Sequence, residues 1–512
     1  MKKVFISSVS IYLGRLSQIL FGFLTSVYVV RYLSTQDYGA YKLIHTILLF
    51  STYFTSLGLE STLGRYIPEF ITKGRYKTVN RLISLALLLR IFAVLLLFGF
   101  LAFFRDFIFS FFNFPTILIV WFPAIFILIF LNRIKTLIGS QLLAAYIEHY
   151  LDNVNKIGSS VLRFALFLMV VKNNWGLEGL ILSTICVDFL SFLYYLFFAV
   201  KKYLHNARLA RNSEITSPET HEVNLRRIGR YAAFSYLSTS SDIFKEILID
   251  NFVISHYMNM SAVGIYSFAA SLIEIPRSFN PTNLLRSLFV PLLVRSYYKN
   301  GQSIDTLKFF YDLMNKVFLL ISFPFYLTIG ILAKEIVTYV FAAKYLPAVP
   351  IVYIFVASYI IGDMVYTFRP IINVLEKTEL LFLSSIFSAY NLIMDIVLIK
   401  HMGLIGVAIA TGSAAVLQYL YFFAALRVVS GPVFHFPFKS ILKSVLNFCP
   451  SLAFLFIYRK SIDSIWQLFF AFVVTIILYL LFSYYNRIFT REELDFLRAQ
   501  LGRNFQFIRG SK

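Results

Sequence analysis

Apolar residues run through this chain in blocks of about twenty, broken by short polar or basic connections. That is the length a helix needs to cross roughly 30 Å of hydrocarbon. Such blocks lie near 8–31, 39–61, 82–104, 117–138, 152–171, 178–200, 231–255, 263–285, 310–333, 348–371, 380–399, 404–426, 441–458 and 464–486. The pattern predicts an all-α polytopic membrane protein of about 14 transmembrane helices. Met1-Lys2-Lys3 and the apolar run behind it resemble a signal peptide. Arg15 interrupts the run and no small-residue cleavage site precedes Arg31, so the segment is expected to be a retained first span.

Composition supports the pattern. Of the 512 residues, 59% are apolar and 14% charged, 57 are Phe, and the mean hydropathy is +0.74. Soluble domains carry about 25% charged residues. Neither Cys186 nor Cys449 has a partner at a spacing that suggests a disulfide or metal site.

The net charge of +21 would suit nucleic acid, but its distribution does not. With the connections assigned alternately to two sides, the side holding the amino terminus collects about 32 lysines and arginines and the other side about 7. This asymmetry predicts cytoplasmic termini and no nucleic-acid partner. The tail 487–512, with Arg498, Arg503 and Arg509, would either lie on the anionic inner leaflet or be solvated.

The chain also repeats itself at an offset of about 225 residues. Gly176-Leu-Glu-Gly-Leu-Ile-Leu-Ser-Thr184 parallels Gly403-Leu-Ile-Gly-Val-Ala-Ile-Ala-Thr411, and Tyr38-Gly-Ala-Tyr41 parallels Val263-Gly-Ile-Tyr266. Each match falls at the same place in a set of six spans. Six is even, so the two sets share one orientation, related by a pseudo-twofold axis along the membrane normal. The expected organisation is an N-lobe (1–200), a cytoplasmic linker (201–230), a C-lobe (231–427), two extra spans (428–486) and a basic tail (487–512), with the lobes around a central cavity.

Ionisable residues inside spans mark functional sites by default, because facing them to lipid is costly. On the seventh span Ser235, Ser238, Thr239, Asp242, Lys245, Glu246 and Asp250 fall within an arc of about 140°. They form either the wall of a wet cavity or a buried network pairing Lys245 with Asp242 or Glu246. Arg15, Gln18, Gly22, Thr25 and Ser26 share a face of the first span, and Arg163, Arg90, Lys316 and Arg277 add positive charge elsewhere. Arg90 and Lys316 would otherwise snorkel to the interface, and Arg277 would otherwise pair with Glu274. The candidate substrate site is Arg15, Arg163, Lys245, Gln18 and Asp242. Such a set suits an anionic cargo, because arginine offers phosphate forked donors.

These segments resemble the polysaccharide-transport branch of the multidrug/oligosaccharidyl-lipid/polysaccharide exporter superfamily. The resemblance rests on Arg31 to Tyr41, on Asp250 to Ser255 with Gly264-Ile-Tyr266, and on Asn391 to Thr411, and their order covers nearly the whole chain. It implies a flippase moving polyprenyl-diphosphate-linked oligosaccharide repeat units across the cytoplasmic membrane by alternating access. It also implies a sodium site at Asp250, Asn391, Asp395, Val407 and Thr411, where protonation of the same carboxylates is the alternative to sodium and hydrogen bonding between helices the structural one. Where the lipid II flippases of the superfamily carry an arginine on the eighth span, Ser271 stands here, so a surface-polysaccharide or O-antigen unit fits better than lipid II. No other cofactor is implied. The partners implied are the lipid-linked oligosaccharide, membrane lipid, and the pathway's polymerase and glycosyltransferases, around a monomer. A drug/cation antiporter of the same superfamily is the alternative. A glycan polymerase or glycosyltransferase is disfavoured by the short outer connections (Ser34 to Tyr38, Lys172 to Leu177, Lys400 to Gly403), so no enzyme activity is expected.

Overall fold

A computed structural model describes residues 2–146, 148–214, 225–240, 248–278 and 286–498. Among them there is helix and loop but no strand. This is the outcome hydrocarbon dictates for an open chain, since a helix satisfies its own backbone hydrogen bonds. Nine helices in this set are long and apolar enough to cross a membrane. They hold ten of the expected spans, because Glu379–Ser430 contains both the eleventh and the twelfth. The first, second, seventh and eighth expected spans fall on other helices.

The chain divides into two compact units, Met1–Ser267 and Phe268–Lys512. In the first, the main helices are α1 (Lys2–Tyr32), α2 (Thr35–Thr55), α3 (Leu59–Thr72), α4 (Tyr76–Phe103), α5 (Phe122–Thr136), α6 (His149–Lys172) and α7 (Gly176–Glu214). Residues of the expected seventh span follow on α8 (Leu225–Ser240) and α9 (Leu248–Tyr257), with 241–247 outside the described residues. The unit ends inside α10 (Met260–Ser278).

The helices of this unit turn apolar faces outward and bury both apolar residues and a set of polar and charged ones. On α4 the stripe Leu88, Phe92, Leu96 and Phe103 is 62–82% exposed, as befits a lipid face. The opposite face carries Arg90, which has no exposed surface. Arg90 donates to the Glu60 carboxylate and to the Ser56 carbonyl. It therefore does not snorkel. An apolar cluster of Leu63, Ile67, Phe70, Val79, Ile83, Ile138 and Leu142 joins α3 and α4 to the segment after α5. The long α7 is tied at its polar end by Asn206, which donates to Asn80 at 3.0 Å and to the Tyr146 hydroxyl at 2.6 Å.

In the second unit, α11 (Ile304–Ile331) lies against α12 (Val349–Gly362), α14 (Phe438–Tyr458) and α15 (Ile465–Tyr485). Lys316 on α11 is held by Glu493 at 2.7 and 2.9 Å, so it too is paired. Helix α13 (Ile386–Ser430) reverses at Gly403, whose φ of 56° and ψ of −137° are accessible to glycine. The two arms then approach so closely that a Cβ on Gly406 would lie 2.4 Å from the Leu398 carbonyl oxygen. α15 opens on a capping box between Ser464 and Gln467.

Candidate functional site

A cavity of about 540 Å³ lies inside the first unit. Five helices build its wall. α1 contributes Gln18, Gly22, Thr25 and Ser26, three and four residues apart, as the face expected from sequence. α2 contributes Tyr38, Tyr41, Lys42 and His45; α5 contributes Lys135 and Thr136; α6 contributes Asp152, Asn155, Lys156, Ser159, Ser160 and Arg163; α7 contributes Asp188, Ser191 and Tyr195.

The charges are organised around two carboxylates. Asp188, almost fully buried, receives Lys135 Nζ at 2.6 Å and the Arg163 guanidinium at 3.3 Å, both on the same oxygen. Asp152 receives Lys156 Nζ at 2.7 Å and the Tyr195 hydroxyl at 2.8 Å. Lys42 stands 5.4 Å from the centre of the Tyr38 ring, within cation–π range. Lys42, Lys135, Lys156 and Arg163 against Asp152 and Asp188 leave two positive charges in excess, His45 not counted. Hydroxyl and amide groups fill the spaces between the charges, which makes this a surface for a hydrated, oxygen-rich, anionic molecule.

Of the substrate residues expected from sequence, Gln18 and Arg163 line this cavity. Arg15 lies on α1 nearly one turn before Gln18, and its side chain is outside the described set. Asp242 and Lys245 also lie outside the described residues. Arg277, in the second unit, is bound to Glu274 at 2.6 Å, to Asp363 at 3.2 Å and to the Tyr366 hydroxyl at 3.1 Å. Lys42, Lys135, Lys156, Asp152 and Asp188 were not singled out by sequence reasoning. Asp188 carried a usable signal, an acid in the middle of an apolar run.

The candidate ion ligands fall in both units. Asp250 on α9 is buried and accepts from the Tyr266 hydroxyl at 2.6 Å. In the second unit Asn391 and Asp395 are buried on the first arm of α13, the amide donating to the carboxylate at 3.3 Å. On the second arm the Thr411 hydroxyl donates to the Val407 carbonyl at 3.1 Å. The four in the second unit, Asn391, Asp395, Val407 and Thr411, offer only hard oxygen acceptors and one amide, a donor set that suits a small hard cation.

Lipid-facing helices that bury ion pairs and hydroxyls around a cavity define a polytopic membrane transport protein. The chain belongs to the family described as polysaccharide biosynthesis protein, whose model matches residues 28–350. Its fold is that of the multidrug/oligosaccharidyl-lipid/polysaccharide exporters. A lipid II flippase, MurJ, in an inward closed conformation matches 94% of this chain over 99% of its own, at 18% identity and a TM-score of 0.65. An inward-facing multidrug resistance MATE family transporter of the MOP superfamily matches 82% over 99%, at 13% identity and 0.66. The MATE transporter VcmN of Vibrio cholerae matches 83% over 97%, at 15% identity and 0.50. No curated protein matches the chain in sequence.

Proposed function

We propose that this protein is a flippase for polyprenyl-diphosphate-linked oligosaccharide repeat units of O-antigen, capsule or exopolysaccharide. It works by alternating access in the cytoplasmic membrane, with both termini inside, as a monomer supplied by glycosyltransferases and drained by a polymerase. The observation that carries this reading is the cavity of the first unit, with its two excess positive charges. A diphosphate diester carries two negative charges and an oligosaccharide a shell of hydroxyls. Moving those hydroxyls bare through hydrocarbon costs several kcal/mol for each unpaired group. A wall of Gln18, Asn155, Ser159, Ser160 and Ser191 replaces the water they lose, while the lipid tail stays in the bilayer.

Ion coupling is part of the proposal. In the second unit, Asn391, Asp395, Val407 and Thr411 would hold sodium or a proton whose occupancy biases the conformations. The drug-antiporter alternative needs an acid available to a cationic drug. Both described cavity acids are already engaged by Lys135, Arg163 and Lys156, which favours the anionic cargo.

Complementation of a strain lacking its surface-polysaccharide flippase tests the proposal. The chain should restore surface polysaccharide, and Arg163→Ala and Lys135→Ala should each lower export. Full export by both Arg15→Ala and Arg163→Ala would sink the cationic-site idea. Increased drug resistance without restored polysaccharide would favour the antiporter.

A further inference from the structure

A second cavity, of about 560 Å³, lies in the first unit and has the opposite character. Its walls are α2, α4, the connection that follows α4, the first half of α5, and Phe252 of α9. Eleven of its twenty-three lining residues are Phe. Ser51 brings the one polar side chain among them, and its hydroxyl donates to the Leu48 carbonyl at 2.7 Å. Water would find no partners there. Val94, Leu118, Ile125 and Ile129 are buried and form the floor. Phe92, Leu96 and Phe100, each more than half exposed, bring the rim to the lipid face of α4.

The apolar cavity shares two walls with the charged one. On α2, Tyr41 and His45 line the charged cavity, while Phe50 and Phe54, nine residues further on in each case, line the apolar one. On α5, Phe126 lines the apolar cavity and Lys135, again nine residues on, the charged one. Nine residues are two and a half turns of helix, so each helix turns opposite faces to the two cavities.

We propose that the apolar cavity binds one acyl chain of a bilayer phospholipid, which packs against the backs of the helices that carry Lys42 and Lys135. Size fits the occupant. An apolar cavity of about 150 Å³ accepts one benzene, so 560 Å³ has room for on the order of twenty carbons, an acyl chain's worth. Arg105 suits the phosphate, standing four residues after Leu101 and three before Ile108, both of which line the cavity. Its guanidinium is 3.2 Å from the Asp106 carboxylate, and both side chains are well exposed. An ion pair so open to solvent is weak and exchanges readily with a lipid phosphate. On the orientation proposed above, the connection after α4 faces outward, so the chain enters from the outer leaflet. A polyprenyl tail whose headgroup sat in the charged cavity would have to round α2 or α5 to arrive here, so the occupant is a lipid separate from the cargo.

The test places the full chain in vesicles of phosphatidylethanolamine containing phosphatidylglycerol with a diazirine at the middle of one acyl chain. Light should attach this probe to Val94, Phe109, Leu118 and Ile125 several-fold more than to Leu88 and Phe456, which are exposed outside the cavity. Ala93→Trp puts an indole into the cavity and should remove the label from the first set only. Arg105→Glu, which repels the phosphate, should lower that label several-fold. Unlabelled phosphatidylglycerol should compete, and a polyprenyl phosphate at the same concentration should not. Equal labelling of both sets would mean annular contact only and overturn the proposal. Competition by the polyprenyl phosphate alone would overturn it in favour of the cargo's tail, and undiminished labelling of Arg105→Glu would overturn the phospholipid assignment. If Ala93→Trp does not fold, the labelling ratio and the competition on the unaltered chain decide. Ala93→Trp should also slow export in the complemented strain, an effect that rests on the flippase reading. Failure of the unaltered chain to restore polysaccharide would remove that reading and leave the lipid site standing.

Discussion

Asp188→Asn tests whether the cavity charges are a balanced set. Asp188 holds Lys135 at 2.6 Å and Arg163 at 3.3 Å through a single oxygen, and it is nearly fully buried. Its removal leaves Lys135, itself largely buried, without a counter-charge. Two unit charges 4 Å apart interact by about 4 kcal/mol at an effective dielectric constant of 20. Removing one partner of a buried pair costs about 3–5 kcal/mol. Arg163 is about a third exposed, so water screens its share and the lower figure is the one to expect. At about 2 °C per kcal/mol for a unit of this size, Asp188→Asn should lower the melting temperature of the detergent-solubilised protein by about 6 °C. The assay is the fraction surviving size-exclusion chromatography after heating. Adding Lys135→Met removes the stranded cation at similar volume, and the double variant should regain most of the loss. A single variant as stable as wild type, or a double variant no better than the single, would refute the idea that Asp188 is there to balance Lys135 and Arg163.

Other perturbations follow from the same geometry. Glu60→Ala strands the fully buried Arg90 and should reduce the folded yield of the protein in membranes, with a loss of about 3 kcal/mol or more by thermal challenge. Glu493→Ala strands Lys316 and should destabilise the second unit. Arg498→Ala, in an exposed pair with Asp495, should leave the melting temperature unchanged within error. Gly406→Ala drives a methyl into the Leu398 carbonyl and should lower both stability and export, measured by chromatography and complementation. Replacing sodium with choline should slow export if sodium is the coupling ion, and Asp395→Asn should abolish the dependence on either ion.

Much of the fold was legible because a bilayer imposes one rule on every segment. The run around Leu88, Phe92 and Leu96 could only be a lipid-facing helix. The turn at Gly403 could be placed because its counterpart at Gly176 opens the sixth span. The polar stripe Gln18, Gly22, Thr25 and Ser26 followed from helical periodicity, and it does line the cavity. Partnership was harder to see. Glu60 and Arg90 are 30 positions apart, Lys135 and Asp188 are 53 apart, and Lys316 and Glu493 are 177 apart. Nothing local announces that helix rotation will bring these pairs together, so Arg90 and Lys316 read either as added positive charge within spans or as snorkelling residues. Lys135 and Lys156 were hidden differently. Each lies near an end of an expected span, 117–138 or 152–171, where a basic residue is ordinary, while the helices carry both into the cavity wall.

The pairing changes what kind of site this is. Four unbalanced cations around a cavity of about 540 Å³ would bind a doubly charged headgroup strongly. At about 6 Å and an effective dielectric constant of 20, each cation–anion contact contributes about 3 kcal/mol. A carrier that binds so tightly in one state pays the same free energy to let go in the other. In the proposed flippase, Asp188 and Asp152 would lower that well without removing the donors, because an arriving phosphate oxygen could share Lys135, Arg163 and Lys156 with them. On release the same carboxylates would receive Lys135, Arg163 and Lys156 back, so none of these three would be left without a partner. A flippase needs this reversibility more than affinity, since its cargo is presented on one face and must leave from the other. On the proposed reading the two acids would then serve transport as much as Arg163, which the sequence singled out, and Lys135 and Lys156, which it did not.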